Sequence, residues 1–214
     1  AGVTYNNAPD NNRIFIGWMS NWDYAISTPT KKWRSAMTLP RKLTLDKIDD
    51  KYILKSKVVD GFDSLLTDIK VKNSDNYPLD IESEELQQSY ISFDAIIKDK
   101  LEIKLSNNLG DTYIIRYDPA DGIFFTDRTT SGLVDFNKKF MVNPQQKILI
   151  GKRKELRLEL VLDASSIEIF LNNGEYVMTN QIFPREEFNH FELNKSDRNE
   201  INNFKIHLVR STLN

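Results

Sequence analysis

Leu101, Ile103 and Leu105 alternate with Glu102 and Lys104, and Leu156, Leu158, Leu160 and Leu162 alternate with Arg157 and Glu159. Ile167, Ile169 and Leu171 flank Glu168, and Phe204, Ile206 and Leu208 repeat the pattern near the carboxy terminus. A period of two sends successive side chains to opposite faces of a strand, so each segment offers one apolar face and one wet face. Strands of this kind pair into antiparallel sheets and bury their apolar faces against each other. Turn residues punctuate them at Asn107-Asn108-Leu109-Gly110-Asp111, Asp118-Pro119-Ala120-Asp121-Gly122 and Asn172-Asn173-Gly174. Asn-Gly accepts the positive φ of a tight hairpin turn, and many short strands so spaced indicate a sandwich or barrel. Ile91, Phe93, Ala95 and Ile97 predict a further strand from Ser89 to Ile97, while residues 83–88 fit either a helical turn or a loop.

A chain of 214 residues with 40% apolar and 11% aromatic side chains can bury a sizeable core. Its 29 basic and 31 acidic residues nearly cancel, which leaves no electrostatic footprint for nucleic acid or an anionic membrane. No apolar run approaches the roughly 18 residues of a membrane helix. Without cysteine there is neither a disulfide framework nor a thiolate metal site. The charged stretch from Asp46 to Lys51 interrupts the apolar pattern, so the expected boundary lies there. The expected organisation is a first unit over residues 1–45, a linker over 46–56 and a sandwich over 57–214. No internal repeat appears at a fixed period.

All three tryptophans fall in one stretch: Ile14-Phe15-Ile16-Gly17-Trp18-Met19-Ser20-Asn21-Trp22-Asp23-Tyr24, then Pro29-Thr30, then Trp33-Arg34-Ser35-Ala36-Met37-Thr38-Leu39-Pro40-Arg41. It reads as a strand from Arg13 to Met19, a polar aromatic loop, and a second strand. Flat apolar rings beside amide and guanidinium donors commonly grip sugars, although aromatics that only seal a β-rich core have the same composition. The wording of the stretch closely resembles the last blade of the catalytic propeller in glycoside hydrolase family 32, the invertase, inulinase and levanase family. Two later segments resemble the same family. Thr126-Asp127-Arg128-Thr129-Thr130-Ser131-Gly132 looks like its Asp-Arg turn, and Leu162 to Phe170, followed by Asn173-Gly174-Glu175, looks like its Asp-x-Ser-Ser-x-Glu-x-Phe hairpin. Ala164 stands where the family often carries arginine. The matches run from Ala1 to about Pro184 and are sparse between Lys51 and Lys100.

The resemblance implies an all-β chain: a remnant of a five-bladed β-propeller followed by a concanavalin-like antiparallel β-sandwich. It places Ala1-Gly2-Val3-Thr4-Tyr5 in mid-propeller, so the chain is expected to be part of a longer β-fructosidase acting on terminal fructosyl linkages of sucrose, inulin or levan. Retaining glycosidases use two carboxyl groups about 5–5.5 Å apart. The family draws its carboxylates from Asn-Asp-Pro, Arg-Asp-Pro and Glu-Cys motifs, none of which occurs here, so this stretch alone is expected to be inactive. Asp49-Asp50, Glu84-Glu85 and Glu186-Glu187 are not replacements, because neighbours on a strand point to opposite faces. His190 and His207 lie far apart without metal-ligand spacing, and no cofactor or metal is expected.

The substrate contact that the resemblance implies is Trp22, in the wall around the terminal fructosyl unit, with Asn21, Asp23 and Tyr24 as its supports. Trp33 and Arg34 are expected to fasten the blade. Asp127-Arg128 fits a turn-stabilising ion pair better than a sugar clamp. The expected partners are a fructose-containing oligosaccharide or polysaccharide and the rest of the propeller. Unpaired strand edges and a solvent-facing patch of Ile14, Phe15, Ile16, Trp18 and Trp22 make a homodimer a further candidate. The family setting favours an extracellular or periplasmic location. The competing readings are a non-catalytic carbohydrate-binding sandwich and a purely structural module.

Overall fold

The computed structural model describes residues 1–48, 50–70, 72–73 and 79–212. Strands β1 (Gly2–Thr4), β2 (Arg13–Gly17), β3 (Arg41–Ile48) and β4 (Lys51–Val58) form a four-stranded antiparallel meander in that order. The strand expected from Arg13 to Met19 ends at Gly17, and Trp18 continues it only through an isolated bridge to Met37. Of residues 46–56, expected as a linker, 46–48 and 51–56 are strand residues of β3 and β4. The charges that looked like a break are cross-strand and turn partners: Lys55 pairs with Asp46 at 2.8 Å and Lys47 with Asp50 at 2.7 Å. Asp50 takes the positive φ of the turn, 62°, and Asp49 lies outside the described residues.

The remaining strands are β5 (Leu66–Thr67), β6 (Lys72–Asn73), β7 (Leu79–Glu82), β8 (Ser89–Ile96), β9 (Leu101–Ser106), β10 (Thr112–Asp118), β11 (Ile123–Asp127), β12 (Gln145–Leu149), β13 (Glu155–Asp163), β14 (Ser166–Leu171), β15 (Tyr176–Gln181), β16 (His190–Lys195) and β17 (Glu200–Val209). They build two antiparallel sheets, ordered β12-β11-β10-β9-β16-β7-β6 and β15-β14-β13-β8-β17-β5. Gly110 (φ 81°), Gly122 (φ 72°) and Gly174 (φ 81°) sit in the three hairpin turns marked by their sequence. The segment left open, residues 83–88, is a turn followed by a short 3-10 helix, Leu86–Gln88.

The two sheets share one core. Ile91, Phe93, Leu158, Leu160, Ile167 and Ile169 from one sheet meet Ile103, Leu105, Tyr113, Tyr117, Phe124 and Phe191 from the other. Each is essentially solvent-free, and full burial of such a side chain contributes about 1.5–3 kcal/mol before conformational entropy is subtracted.

The six-stranded sheet departs from the one-wet-face reading. Its outer face is covered by the meander and the turn after it: Phe62, Leu39 and Val58 pack on Val161, Phe170, Tyr90 and Val177. Strand β14 is consequently buried on both faces, and Glu168, expected in water, is 3% exposed. At the far end of the meander Leu45, Tyr52 and Leu54 remain exposed.

Candidate functional site

The aromatic loop starts where β2 runs out of partners. Trp18 N–H donates to Ala1 O at 2.7 Å, Met19 N–H to Ala36 O at 2.9 Å, and Thr38 N–H to Gly17 O at 2.7 Å. The Thr38 hydroxyl accepts from Gly17 N–H at 2.9 Å, and Trp18 Nε1 donates to the Ser35 hydroxyl. Everything between Met19 and Ala36 therefore projects as one loop from a closed neck.

Inside it, Asn21 organises a tight turn. Its side-chain oxygen accepts from Asp23 N–H at 2.8 Å, and its carbonyl accepts from Tyr24 N–H at 3.1 Å and Ala25 N–H at 2.8 Å. This Asx turn leads into a 3-10 turn, Ala25–Ser27, and leaves Trp22 at the apex. Trp22 is 86% exposed, and its ring rests 4.9 Å from that of Trp18 at an angle of 52°. Trp18, Ile14, Phe15 and Ile16 are half-buried, so the exposed apolar surface centres on Trp22 rather than on the whole group. Trp33 and Arg34 bond within the loop: Arg34 Nη1 reaches Thr30 Oγ1 and Trp33 O, both at 3.2 Å.

Tyr24 goes the other way. It is 8% exposed and packs edge-on to Phe140 at 5.3 Å and Phe136 at 6.2 Å, in a cluster completed by Phe183. Asn21, Trp22 and Tyr24 thus share a loop but not a surface, with Trp22 in solvent and Tyr24 anchored in the sandwich. Asp23 is held through its carbonyl, which accepts from Asn137 Nδ2 at 3.2 Å.

Arg128 completes this anchorage, and it does not form the expected ion pair with Asp127. Along β11 and beyond, Phe124, Thr126 and Arg128 share the inward parity, so the guanidinium enters the interior instead of the turn. It donates to Phe140 O at 2.9 Å and to Gln181 O at 3.4 Å, and lies 3.9 Å over the Phe140 ring. Burial pulls its pKa below the ordinary arginine value, with the Tyr24 hydroxyl acting in the opposite sense. Asp127 accepts instead from Thr129 N–H and Gln145 Nε2, both at 2.8 Å.

A second seam joins the meander to the sandwich. The Glu168 carboxylate accepts from Leu39 N–H at 2.6 Å and from the Arg41 guanidinium through Nε at 3.2 Å and Nη2. Arg41 also donates to Thr179 Oγ1 at 2.6 Å and sits 5.3 Å from the Phe170 ring centre. Burial pushes the Glu168 pKa up against the pull of Arg41 and the Leu39 N–H. Glu168 and Asn137 were not identified as functional from sequence. A signal existed for Glu168: Phe170, two residues on, placed an apolar ring on the face read as wet.

Asp23 is the one acidic residue between Asn12 and Leu45 in the sequence. Glu168 is committed to Arg41. Among the described residues no three His, Cys, Asp or Glu side chains group as a metal site. A cleft of about 310 Å³ lies beside Glu168, lined by Met19, Met37, Leu39, Phe62 and Val161 among others. A larger groove, about 930 Å³, crosses the sandwich at Asp94, Arg157, Asn172, Asn173 and Asn203, with no aromatic ring in its lining.

Comparison with known proteins matches residues 60–208 to the family described as Glycosyl hydrolases family 32 C terminal, and residues 1–56 to Glycosyl hydrolases family 32 N-terminal domain. An extracellular exo-inulinase of Aspergillus niger is 29% identical across the whole of this chain, which covers 42% of that protein. A levanase of Bacillus subtilis is 27% identical over 90% of the chain and 30% of its own length. The crystal structure of an exo-inulinase from Aspergillus awamori superposes with a TM-score of 0.81 at 26% identity, covering 98% of this chain and 43% of that one. The chain thus spans less than half the length of the relatives it matches.

Proposed function

Because the chain belongs to glycosyl hydrolase family 32, we propose that it forms the last propeller blade and the sandwich of a β-fructosidase that releases terminal fructosyl units from sucrose, inulin or levan. The exo-inulinase and levanase relatives support the substrate class. The observation that carries the reading to a residue is Trp22, held at the apex of a hydrogen-bonded loop with its ring free in solvent. A flat apolar ring complements the C–H face of a sugar.

In this reading Trp22 walls the fructosyl unit and excludes water from one side, while the nucleophile and the acid/base come from carboxylates outside this stretch. The reaction is a double displacement: a carboxylate attacks the anomeric carbon as the acid protonates the leaving oxygen, and water then opens the covalent intermediate. The large sandwich groove, without an aromatic platform, does not favour a separate carbohydrate-binding role. The extracellular relatives support an extracellular setting.

The test is steady-state kinetics of Trp22→Ala in the full-length enzyme. The ring makes few contacts, so the melting temperature should hold, while kcat/KM on sucrose and inulin should fall about 10- to 100-fold. Unchanged kcat/KM on both substrates would make Trp22 a surface residue without a role in binding.

A further inference from the structure

The residues that follow Trp22 are held by the sandwich. The turn that carries this tryptophan is short, and two of its residues on the carboxy-terminal side of Trp22 are bound to the sandwich segment Arg128–Phe140 rather than to the meander. Asn137 bridges the two. Its Oδ1 accepts from Lys139 N–H at 2.9 Å and caps a 3-10 turn, Lys138–Met141, while its Nδ2 reaches across to the Asp23 carbonyl at 3.2 Å. The 3-10 turn presents Phe140, fully buried, against Tyr24, and Arg128 fixes Phe140 from behind through its carbonyl and its ring face.

The backbone of Asp23 and the ring of Tyr24 immediately follow Trp22, so these contacts fix the direction in which the Trp22 indole leaves the chain. From this geometry we infer that Asn137, with Phe140 and Arg128 behind it, acts as a positioning residue: the sandwich sets the pose of the Trp22 ring and through it the affinity for the fructosyl unit. The inference rests on the β-fructosidase reading for its kinetic consequence and on the contacts alone for its structural one.

The two halves of the Asn137 side chain separate by substitution. Asn137→Ser and Asn137→Asp each keep an oxygen that can cap Lys139 N–H, and each loses the amide donor to Asp23. In the full-length enzyme both variants should keep the wild-type melting temperature. Their KM for sucrose should rise about three- to tenfold, the size of one net hydrogen bond, with kcat within about twofold, because the ring holds ground state and transition state alike. Amide hydrogen exchange at Tyr24, Ala25 and Ser27, measured without substrate, should quicken about tenfold in both variants.

Unchanged exchange and unchanged KM would overturn the inference. So would a parallel fall of kcat and melting temperature, which would make Asn137 a support of the fold alone. A wild-type enzyme that releases no fructose would sink the functional reading and the kinetic role of Asn137 together, while the exchange measurement would still decide whether the sandwich holds the loop.

Discussion

Arg41 and Glu168 are separated by more than 120 positions in the chain and meet where both are buried, at 7% and 3% exposure. A carboxylate so buried is tolerable while the guanidinium and the Leu39 N–H satisfy it. Arg41→Met should therefore cost about 3–5 kcal/mol in urea unfolding, and adding Glu168→Leu should recover most of that loss. A small loss in the single variant would show that the seam does not depend on the pair. Asp111 behaves differently with pH. Burial alone would raise its pKa, but the Arg185 guanidinium at 2.6 and 2.8 Å, Asn107 Nδ2 at 3.0 Å and the Arg185 N–H at 2.7 Å hold it below the ordinary carboxylate value. A depressed folded pKa adds stability above the unfolded value of about 3.9 and loses it as pH falls through the folded one. Asp111→Asn should cost about 1–3 kcal/mol at neutral pH, and the gap from wild type should close below about pH 4. A gap that stayed constant down to about pH 2 would contradict the pairing. Neither pair was legible in the sequence, because both join residues whose proximity only the tertiary fold creates.

The elements were legible wherever one face is wet. Along β9, alternation gave strand and orientation together, and the hairpin turns fell at their Asn, Asp and Gly residues. Two elements defeated that logic for opposite reasons. Charges at Asp46 and Lys55 pair across a hairpin, so a strand looked like a linker. Strand β14 is covered on both sides, so its polar positions looked solvated. Gly174 shows how an element signal can understate its own role. Its Asn-Asn-Gly turn marks a hairpin, but the glycine also touches β4: a Cβ there would lie 2.3 Å from Ser56 O, and Ser56 N–H donates to Gly174 O at 2.9 Å. Gly110 has the same φ of 81° with open space around it. Gly110→Ala should cost about 1 kcal/mol, the strain of a left-handed residue alone, whereas Gly174→Ala should cost about 2–4 kcal/mol, measured by thermal and urea unfolding. Equal costs would mean that the hairpin does not bear on the meander.

At the scale of the whole molecule, the contacts that join the meander and its loop to the sandwich include Tyr24 on Phe140, Arg41 on Glu168, and Ser56 on Gly174. Family and fold class were legible from the dense aromatic stretch and the alternating strands. The candidate site was legible only as a loop, since Trp22 and Tyr24 are two residues apart and sequence cannot say that one faces solvent and the other the sandwich. The proposed division of labour, with this stretch holding sugar and other segments supplying the carboxylates, is tested most directly by fructose release. The full-length protein and the 214-residue chain would be assayed side by side on sucrose and inulin, each after repurification. Fructose from the full-length protein and none from the shorter chain is the expected result. A full-length protein that frees no fructose, or a 214-residue chain that does, would contradict it.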